Sequence, residues 1–109
     1  MDPTIRDFDL SGLRTLYKTS SSARHVLESF AGRINNWSIT TVSSLESYFK
    51  LTGLKISRKE IKLVFMEFEK FNCGQFIIGN VSGNRNFQTR FVWTVPMTKV
   101  GRLALDKRN

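Results

Sequence analysis

A cluster of cationic side chains near residue 58 is the part of the sequence whose residue types and spacing favour binding chemistry. Arg58, Lys59 and Lys62 begin a segment with helical apolar periodicity, and Lys55 lies just before it. Arg58 and Lys62 are four residues apart, and Lys59 and Lys62 three apart, so they share one side of a helix. Ammonium and guanidinium groups bind phosphate oxygens, and the free N–H groups of a helix N-terminus assist them. The spacing predicts an anion-binding face, and a solvated charged face is the alternative.

A second candidate binding group lies in a polar loop between two apolar segments. The loop contains Asn84, Arg85 and Asn86 within a run of turn-forming residues. An arginine on such a loop suits the minor groove of A·T-rich DNA, where negative potential is concentrated. Asparagine amides can both donate and accept hydrogen bonds. An ordinary long hairpin loop is the other interpretation.

The cationic cluster belongs to a helix with clear start and stop signals. Ser57 and Glu60 have the spacing of a capping box, in which each side chain hydrogen-bonds the backbone N–H of the other residue. Asn72 and Gly74 are typical of residues just past a helix end. Between these signals, apolar residues recur at helical spacing: Ile61, Val64, Phe65, Phe68 and Phe71. The pattern predicts a helix with an apolar stripe and a cationic first half.

Two strands joined by a polar turn are predicted after this helix. Residues 75–79 form a short strand, residues 80–86 have turn chemistry, and residues 87–95 alternate between two faces. One face of the second strand carries Phe87, Thr89, Phe91, Trp93 and Val95. We expect this face, with Phe76 and Ile78, to pack against the apolar stripe of the helix.

Three further elements are predicted before the cationic helix. Periodicity favours a helix over residues 22–34, a short strand over residues 37–41, and a second helix after that strand. Either Thr41 or Ser43 could cap the second helix, and Ser43 with Glu46 has capping-box spacing. The predicted order is therefore helix, strand, helix, helix, strand, strand.

This order and the hairpin sequence resemble those of winged-helix proteins. Gly74–Gly79, Arg85 and Arg90–Trp93 are similar to the wing of small bacterial or phage DNA-binding proteins, and the resemblance is strongest from Ser57 to Trp93. It implies an α+β winged helix over residues 20–96, in which a helix-turn-helix precedes a β-hairpin wing. The cationic helix would then be the recognition helix, which enters the major groove.

Two terminal extensions flank this domain, an N-terminal arm at residues 1–19 and a basic C-terminal segment at residues 97–109. Both carry apolar side chains: Phe8, Leu10, Leu13, Leu16, Tyr17, Val100, Leu103 and Leu105. The arm either packs on its own domain or is exchanged with a second subunit, and the C-terminal segment is either a short element or a solvated tail. Since exposed apolar patches usually mark interfaces, we expect a homodimer built mainly from the arm.

Composition limits the possible partners. The formal net charge is +8, and residues 1–30 contribute none of it because four basic residues balance four acidic ones. A basic excess after residue 30 favours nucleic acids through counterion release, and a merely basic surface is the alternative. With 109 residues, 40% of them hydrophobic, we expect one domain with one core. A single cysteine and the lack of a signal segment or long apolar run indicate a cytoplasmic, nucleoid-associated protein without membrane contact.

Motifs for catalysis, metal or cofactor binding are missing from the sequence. It contains no nucleophile elbow, phosphate-binding loop or His-Glu-x-x-His motif. Cys73 and His25 are the only residues of their types, and neither has ligand or base partners at a suitable spacing. We therefore expect no enzyme activity, metal, cofactor or small-molecule ligand.

The sequence as a whole favours non-catalytic binding of double-stranded DNA. The protein would be a small bacterial or phage transcription regulator or an accessory DNA-binding factor. The alternative is a winged-helix module for protein contacts, such as an adaptor or inhibitor that binds an acidic partner surface. Both functions would use the same cationic face.

Overall fold

Five helices and three strands make up the described residues of the computed structural model, which are 8–32, 36–79 and 87–106. In chain order they are α1 Leu10–Thr19, α2 Ser21–Ala31, β1 Ile39–Thr41, α3 Val42–Leu51, α4 Arg58–Lys70, β2 Gly74–Ile77, β3 Arg90–Trp93 and α5 Met97–Leu105. The predicted α+β class is confirmed. From α2 to β3 the elements follow the order helix, strand, helix, helix, strand, strand.

The three strands form one antiparallel sheet in the order β1-β3-β2. In this register Phe91 of the central strand lies between Thr40 and Phe76. The strand β3 is shorter than the predicted 87–95. Near its start the Thr89 hydroxyl, rather than a backbone group, accepts a hydrogen bond from the Gly79 N–H at 3.0 Å.

The core lies between α4 and the inner face of the sheet. Phe68 is fully buried, and its ring centroid lies 5.9 Å from that of Phe91, 5.7 Å from that of Trp93 and 6.4 Å from that of Phe30. Phe65 is also buried and lies 5.6 Å from Phe91. Two residues of the predicted apolar stripe, Phe65 and Phe68, therefore contact the sheet.

The first and last helices both pack on α2. α5 crosses α2 so closely that a Cβ atom at Gly101 would lie 2.8 Å from the Ala31 nitrogen and 2.9 Å from the Leu27 carbonyl oxygen. Arg14 of α1 donates a hydrogen bond from Nε to the Leu103 carbonyl of α5 at 3.1 Å. α1 and α5 thus pack together on α2, and Phe30 of α2 also contacts Trp93 of the sheet, with ring centroids 5.3 Å apart.

The apolar residues of both extensions belong to this core. Phe8, Leu13 and Val100 are buried, and the half-buried side chains packed against them are Leu10, Leu16, Tyr17, Leu103 and Leu105. Residues 8–19 of the arm therefore pack on the domain of their own chain, and residues 97–105 are a helix rather than a solvated tail. The homodimer stays a prediction, but its argument from unburied apolar side chains in the arm does not hold.

Helix ends were predicted best where the residues that form the cap are close together in the sequence. The Ser57–Glu60 capping box is confirmed at the start of α4. At the start of α3 Thr41 is the cap and its hydroxyl accepts from the Ser44 N–H. The alternative box of Ser43 with Glu46 was wrong, because the Glu46 carboxylate pairs with a residue of α4 instead.

Two residues of the hairpin depart from the predicted packing. Ile78 and Phe87 were expected in the core, yet they are 78% and 59% exposed. The core ends at the level of Thr89, which is buried, so the two side chains beyond it have no helix to cover them.

Across the described ranges, none of the helices has the length and apolar character that crossing a bilayer requires.

Candidate nucleic-acid interface

The start of α4 is fixed to α2 by a small hydrogen-bond network. The Ser57 hydroxyl accepts from the Glu60 N–H, and Glu60 Oε1 accepts from the Ser57 N–H, both at 3.2 Å. Ser22, near the start of α2, donates its hydroxyl to Glu60 Oε2 at 2.5 Å. The hydrogen bond from Ser22, followed by those from Ser57, lowers the pKa of the Glu60 carboxyl. Glu60 is thus held ionised, and it joins two helices.

Arg58 fixes the same end of α4 to α3. Its Nη1 lies 3.0 Å from Glu46 Oε1 and donates to the Ser43 hydroxyl at 3.2 Å. Both partners are on α3, so Arg58 and Glu46 connect the two helices of the predicted helix-turn-helix. Nε and Nη2 of Arg58 have no partner among the described residues. This connection was not foreseen from the sequence, because residues 46 and 58 are too far apart in the chain for spacing rules to pair them.

The three candidate lysines surround this fixed helix end. Lys59 is exposed on the first turn of α4, Lys62 is half-buried one turn later, and Lys55 is exposed on the segment before the helix. Within the described ranges none of the three has an ion-pair partner. Their charges are therefore not compensated by carboxylates of the described chain, whereas the charge of Arg58 is.

The outer face of α4 is partly apolar, which the sequence prediction missed. Leu63 and Met66 are 52% and 51% exposed. They lie between Lys59 and Lys70 at helical intervals of four, three and four residues, which places all four on one side. This regular spacing opposite the buried stripe was the signal that could have found them. The face is cationic at both ends and apolar in its middle.

Two acidic residues lie in the second half of α4. Glu69 accepts a hydrogen bond from the Phe76 N–H of β2 at 3.0 Å. Glu67 lines a cavity together with Leu16 of α1 and with Leu63 and Met66 of the outer face. Carboxylates are therefore present in the second half of α4, whereas Lys55, Lys59 and Lys62 lie near its start.

The wing candidates Asn84, Arg85 and Asn86 lie outside the described residues, so their role stays a prediction. The base of the hairpin that carries them is described. Gly79 and Thr89 exchange hydrogen bonds there, and Arg90 Nη1 donates to the Gln88 carbonyl at 3.0 Å. Hydrogen bonds thus hold the two sides of the hairpin together where the loop begins.

Cys73 and His25 are side chains of types that can act as nucleophile or base, and both are described in the structure. Cys73 is fully buried, and burial, followed by the charge of Asp9, raises the pKa of its thiol to about 12. A thiol of this kind is protonated at neutral pH and a poor nucleophile. His25 Nδ1 lies 3.7 Å from Glu28 Oε1 on α2. Among the described residues no group of His, Cys, Asp and Glu could hold a metal ion.

Comparison with known proteins adds no relative. No protein-family model, curated protein or solved structure matches the chain. The functional interpretation therefore depends on the residue contacts at the start of α4 and on the resemblance in the sequence.

Proposed function

We propose that this chain is a non-catalytic winged-helix protein that binds double-stranded DNA, as a small transcription regulator or an accessory DNA-binding factor. The observation that carries the proposal is the start of α4. Three lysines without ion-pair partners in the described ranges flank a helix N-terminus that hydrogen bonds tie to both α2 and α3. The element order and the sheet order β1-β3-β2 support the same proposal.

The physical basis is electrostatic attraction combined with a rigid geometry. Lysines that neutralise phosphates release condensed counterions, and this release drives most of the affinity of proteins for duplex DNA. A fixed helix N-terminus adds backbone N–H donors for one phosphate. An α-helix fits the major groove, where base edges present distinct donors and acceptors. α4 would therefore enter the major groove with its first half.

Different roles follow for the individual side chains. Lys55, Lys59 and Lys62 would contact phosphates. Arg58 keeps Nε and Nη2 for a guanine edge or a phosphate, while Nη1 stays with Glu46. Asn84, Arg85 and Asn86 would follow the adjacent minor groove. In this function the protein would lie on the nucleoid in the cytoplasm.

Removing two lysines from the start of α4 tests the proposal. The variant Lys59→Ala/Lys62→Ala is compared with Lys18→Ala/Lys99→Ala, which has the same net charge but loses lysines of α1 and α5. Affinity for random and A·T-rich duplexes is measured over a range of salt concentrations. We expect the first variant to reduce the magnitude of the salt slope by about two, one for each phosphate contact. The control should keep the slope of the natural chain.

Two outcomes would contradict the proposal. If no duplex is bound even at low salt, the protein is not a DNA-binding protein. If both variants lose affinity equally, the net charge rather than α4 is responsible. Selection of bound fragments from random DNA then identifies any preferred sequence.

A protein-interaction module that binds an acidic partner is the second candidate, and Leu63 with Met66 favours it. Leu63 and Met66 are flanked by Lys59 and Lys70 on one side of α4, and apolar anchors flanked by cations suit an acidic amphipathic peptide. The variant Leu63→Ser/Met66→Ser should lower duplex affinity less than Lys59→Ala/Lys62→Ala does if DNA is the ligand. Loss of binding to an acidic, leucine-containing helical peptide, in a chain that binds no duplex, would favour the second candidate.

A two-fold homodimer is part of the proposal for DNA binding. Two linked recognition helices raise affinity through effective concentration and read two half-sites. Sedimentation equilibrium of the full chain tests it. A monomer at roughly 50 μM, where a dimer of modest affinity should form, contradicts the dimer.

A further inference from the structure

The hairpin exposes two large apolar side chains beyond the edge of the core. Ile78 follows β2 and Phe87 precedes β3, and most of each side chain is accessible to water. Strand alternation continues the face of Phe76 to Ile78. Phe87 lies close by across the hairpin, since a Cβ atom at Gly79 would lie 2.2 Å from the Phe87 carbonyl oxygen. This inner face of the sheet is therefore longer than the helix that covers it.

The aromatic contacts show in which direction this face extends. Trp93 contacts Phe68, whereas Phe91, two residues earlier, contacts both Phe68 and Phe65. Moving back along the strand thus moves the contact toward the N-terminus of α4. Phe76, which pairs with Phe91, also contacts Phe65, and Ile78 lies two residues beyond it, so the exposed pair lies toward the cationic first half of the helix.

The charges near this end of α4 favour a polyanionic partner. Two carboxylates lie near this end of α4, and both already have partners. Glu46 of α3 pairs with Arg58, and Glu60 accepts hydrogen bonds from Ser22 and Ser57. The lysines nearby have no such partners in the described chain. An apolar pair beside uncompensated positive charge complements duplex DNA, which presents phosphates outside and stacked base steps in its grooves.

We propose that Ile78 and Phe87 form an apolar wedge that enters the minor groove of the bound duplex and bends it. The inference rests on the proposed DNA-binding function and adds a second activity, DNA bending, to the same surface. Apolar side chains that enter the minor groove partly unstack one base step and bend the duplex toward the major groove. The bend brings flanking phosphates closer to the lysines, which offsets the loss of stacking.

The test measures bending and binding separately. A duplex with a fluorophore at each end reports its end-to-end distance by energy transfer, and the salt slope reports phosphate contacts. For the natural chain we expect a bend of about 20–90°. The variant Phe87→Ala/Ile78→Ala should lose most of this bend and keep the salt slope. Leu51→Ala, which removes an apolar side chain of α3 that is 88% exposed, is the matched control and should bend DNA normally.

The folding of the variants is not expected to change, since both side chains are mostly exposed, and thermal unfolding of the variants checks this. If the natural chain binds duplex DNA without bending it, or if the double variant bends it equally, the wedge is wrong and the proposed function stands. If the natural chain binds no duplex at any salt concentration, the proposed function itself fails.

Vesicles of anionic lipid are the comparison surface. Binding to them that depends on Phe87, together with unchanged DNA bending in the variant, would assign the pair to a membrane surface instead.

Discussion

The two halves of α4 are held in place by different kinds of contact. In the second half, Phe65 and Phe68 are buried in an aromatic cluster with the sheet. In the first half, Glu60 accepts a hydrogen bond from Ser22 of α2, Arg58 pairs with Glu46 of α3, and Ser57 caps the helix. One helix therefore has an apolar, water-excluding end and a polar, half-exposed end.

Because of this difference, we expect one half of α4 to contribute mainly to stability and the other half mainly to binding. Burying a large apolar side chain contributes about 1.5–3 kcal/mol, whereas a net hydrogen bond contributes about 0.5–1.5 kcal/mol and an exposed ion pair about 0.2–1 kcal/mol. The aromatic half should therefore supply most of the stability. The polar half should fix the direction of the helix end while its lysines stay accessible to a ligand.

Truncating Phe68 should have the largest effect on stability. Phe68→Ala leaves a cavity among Phe30, Phe65, Phe91 and Trp93, and such substitutions cost about 3–5 kcal/mol. Leu63→Ala on the outer face of the same helix is the control, with an expected loss below about 1 kcal/mol. Urea unfolding measures both. Equal losses would mean that the second half of α4 is not the main source of stability.

Adding a side chain at Gly101, where α5 crosses α2 closely, should have the second largest effect on stability. A Cβ at Gly101 would lie within 3.0 Å of backbone atoms of α2, and overpacking of this kind costs about 1–3 kcal/mol. A Cβ at Gly32 would meet nothing within 4 Å, so Gly32→Ala should be neutral or stabilise by about 0.4–1 kcal/mol. Thermal unfolding compares the two variants. A stabilising Gly101→Ala would show that the helices can separate without loss.

Local signals in the sequence were sufficient for some features and not for others. The Ser57–Glu60 box was predictable because both partners lie within one helical turn. The choice between Thr41 and Ser43 was not, because the decisive contact of Glu46 is with Arg58, twelve residues away. Alternation predicted Phe87 on a buried inner face, but its side chain is mostly exposed. Alternation could not show where the helix that covers this face ends.

The candidate site was also predictable only where its residues are close together in the sequence. The shared side of Lys59 and Lys62 follows from helical spacing alone. The link from Ser22 to Glu60 joins residues 38 positions apart and required the packed structure. The packing of the arm on its own domain was one of two open alternatives, since periodicity identifies an apolar face but not the chain that covers it.

Removing the cap of α4 tests how much the polar half contributes. Ser57→Ala removes the acceptor for the Glu60 N–H, and losses of this kind are about 1 kcal/mol. Ser11→Ala, at an exposed position of α1, is the matched control and should change stability by less than about 0.5 kcal/mol. Urea unfolding at pH 7 measures both variants. A loss for Ser57→Ala as large as that for Phe68→Ala would reverse the proposed division between the two halves.

The same network should make stability depend on pH. Hydrogen bonds lower the pKa of Glu60 in the folded state below its ordinary value of 4.5. Its stabilising contribution is therefore present above pH 4.5 and is lost as the pH falls through the lowered folded pKa. Glu60→Gln should thus destabilise the protein more at pH 7 than at pH 3. Unfolding curves of both proteins at each pH measure this, and an equal difference at the two pH values would contradict it.

The Arg58–Glu46 pair should contribute least to stability and more visibly to binding. Glu46→Gln keeps an oxygen that accepts from Arg58 but removes a charge, and the pair is half-exposed, so we expect a loss below about 0.5 kcal/mol. The same change removes a carboxylate that repels phosphates and leaves the charge of Arg58 uncompensated. Affinity for random duplexes should therefore rise by about two- to fivefold, the size of one exposed charge interaction.

Glu28→Gln is the matched control for this last prediction. It removes the same charge from α2, where Glu28 accepts a hydrogen bond from the Tyr17 hydroxyl and no contact of Glu28 with α3 or α4 is recorded in the described chain. At about 0.1 M salt, charges more than about 10 Å from a phosphate are largely screened, so Glu28→Gln should change duplex affinity little. Fluorescence anisotropy at fixed salt compares the two variants. If both raise affinity equally, the protein responds to net charge alone. If only Glu46→Gln raises it, the polar half of α4 faces the DNA.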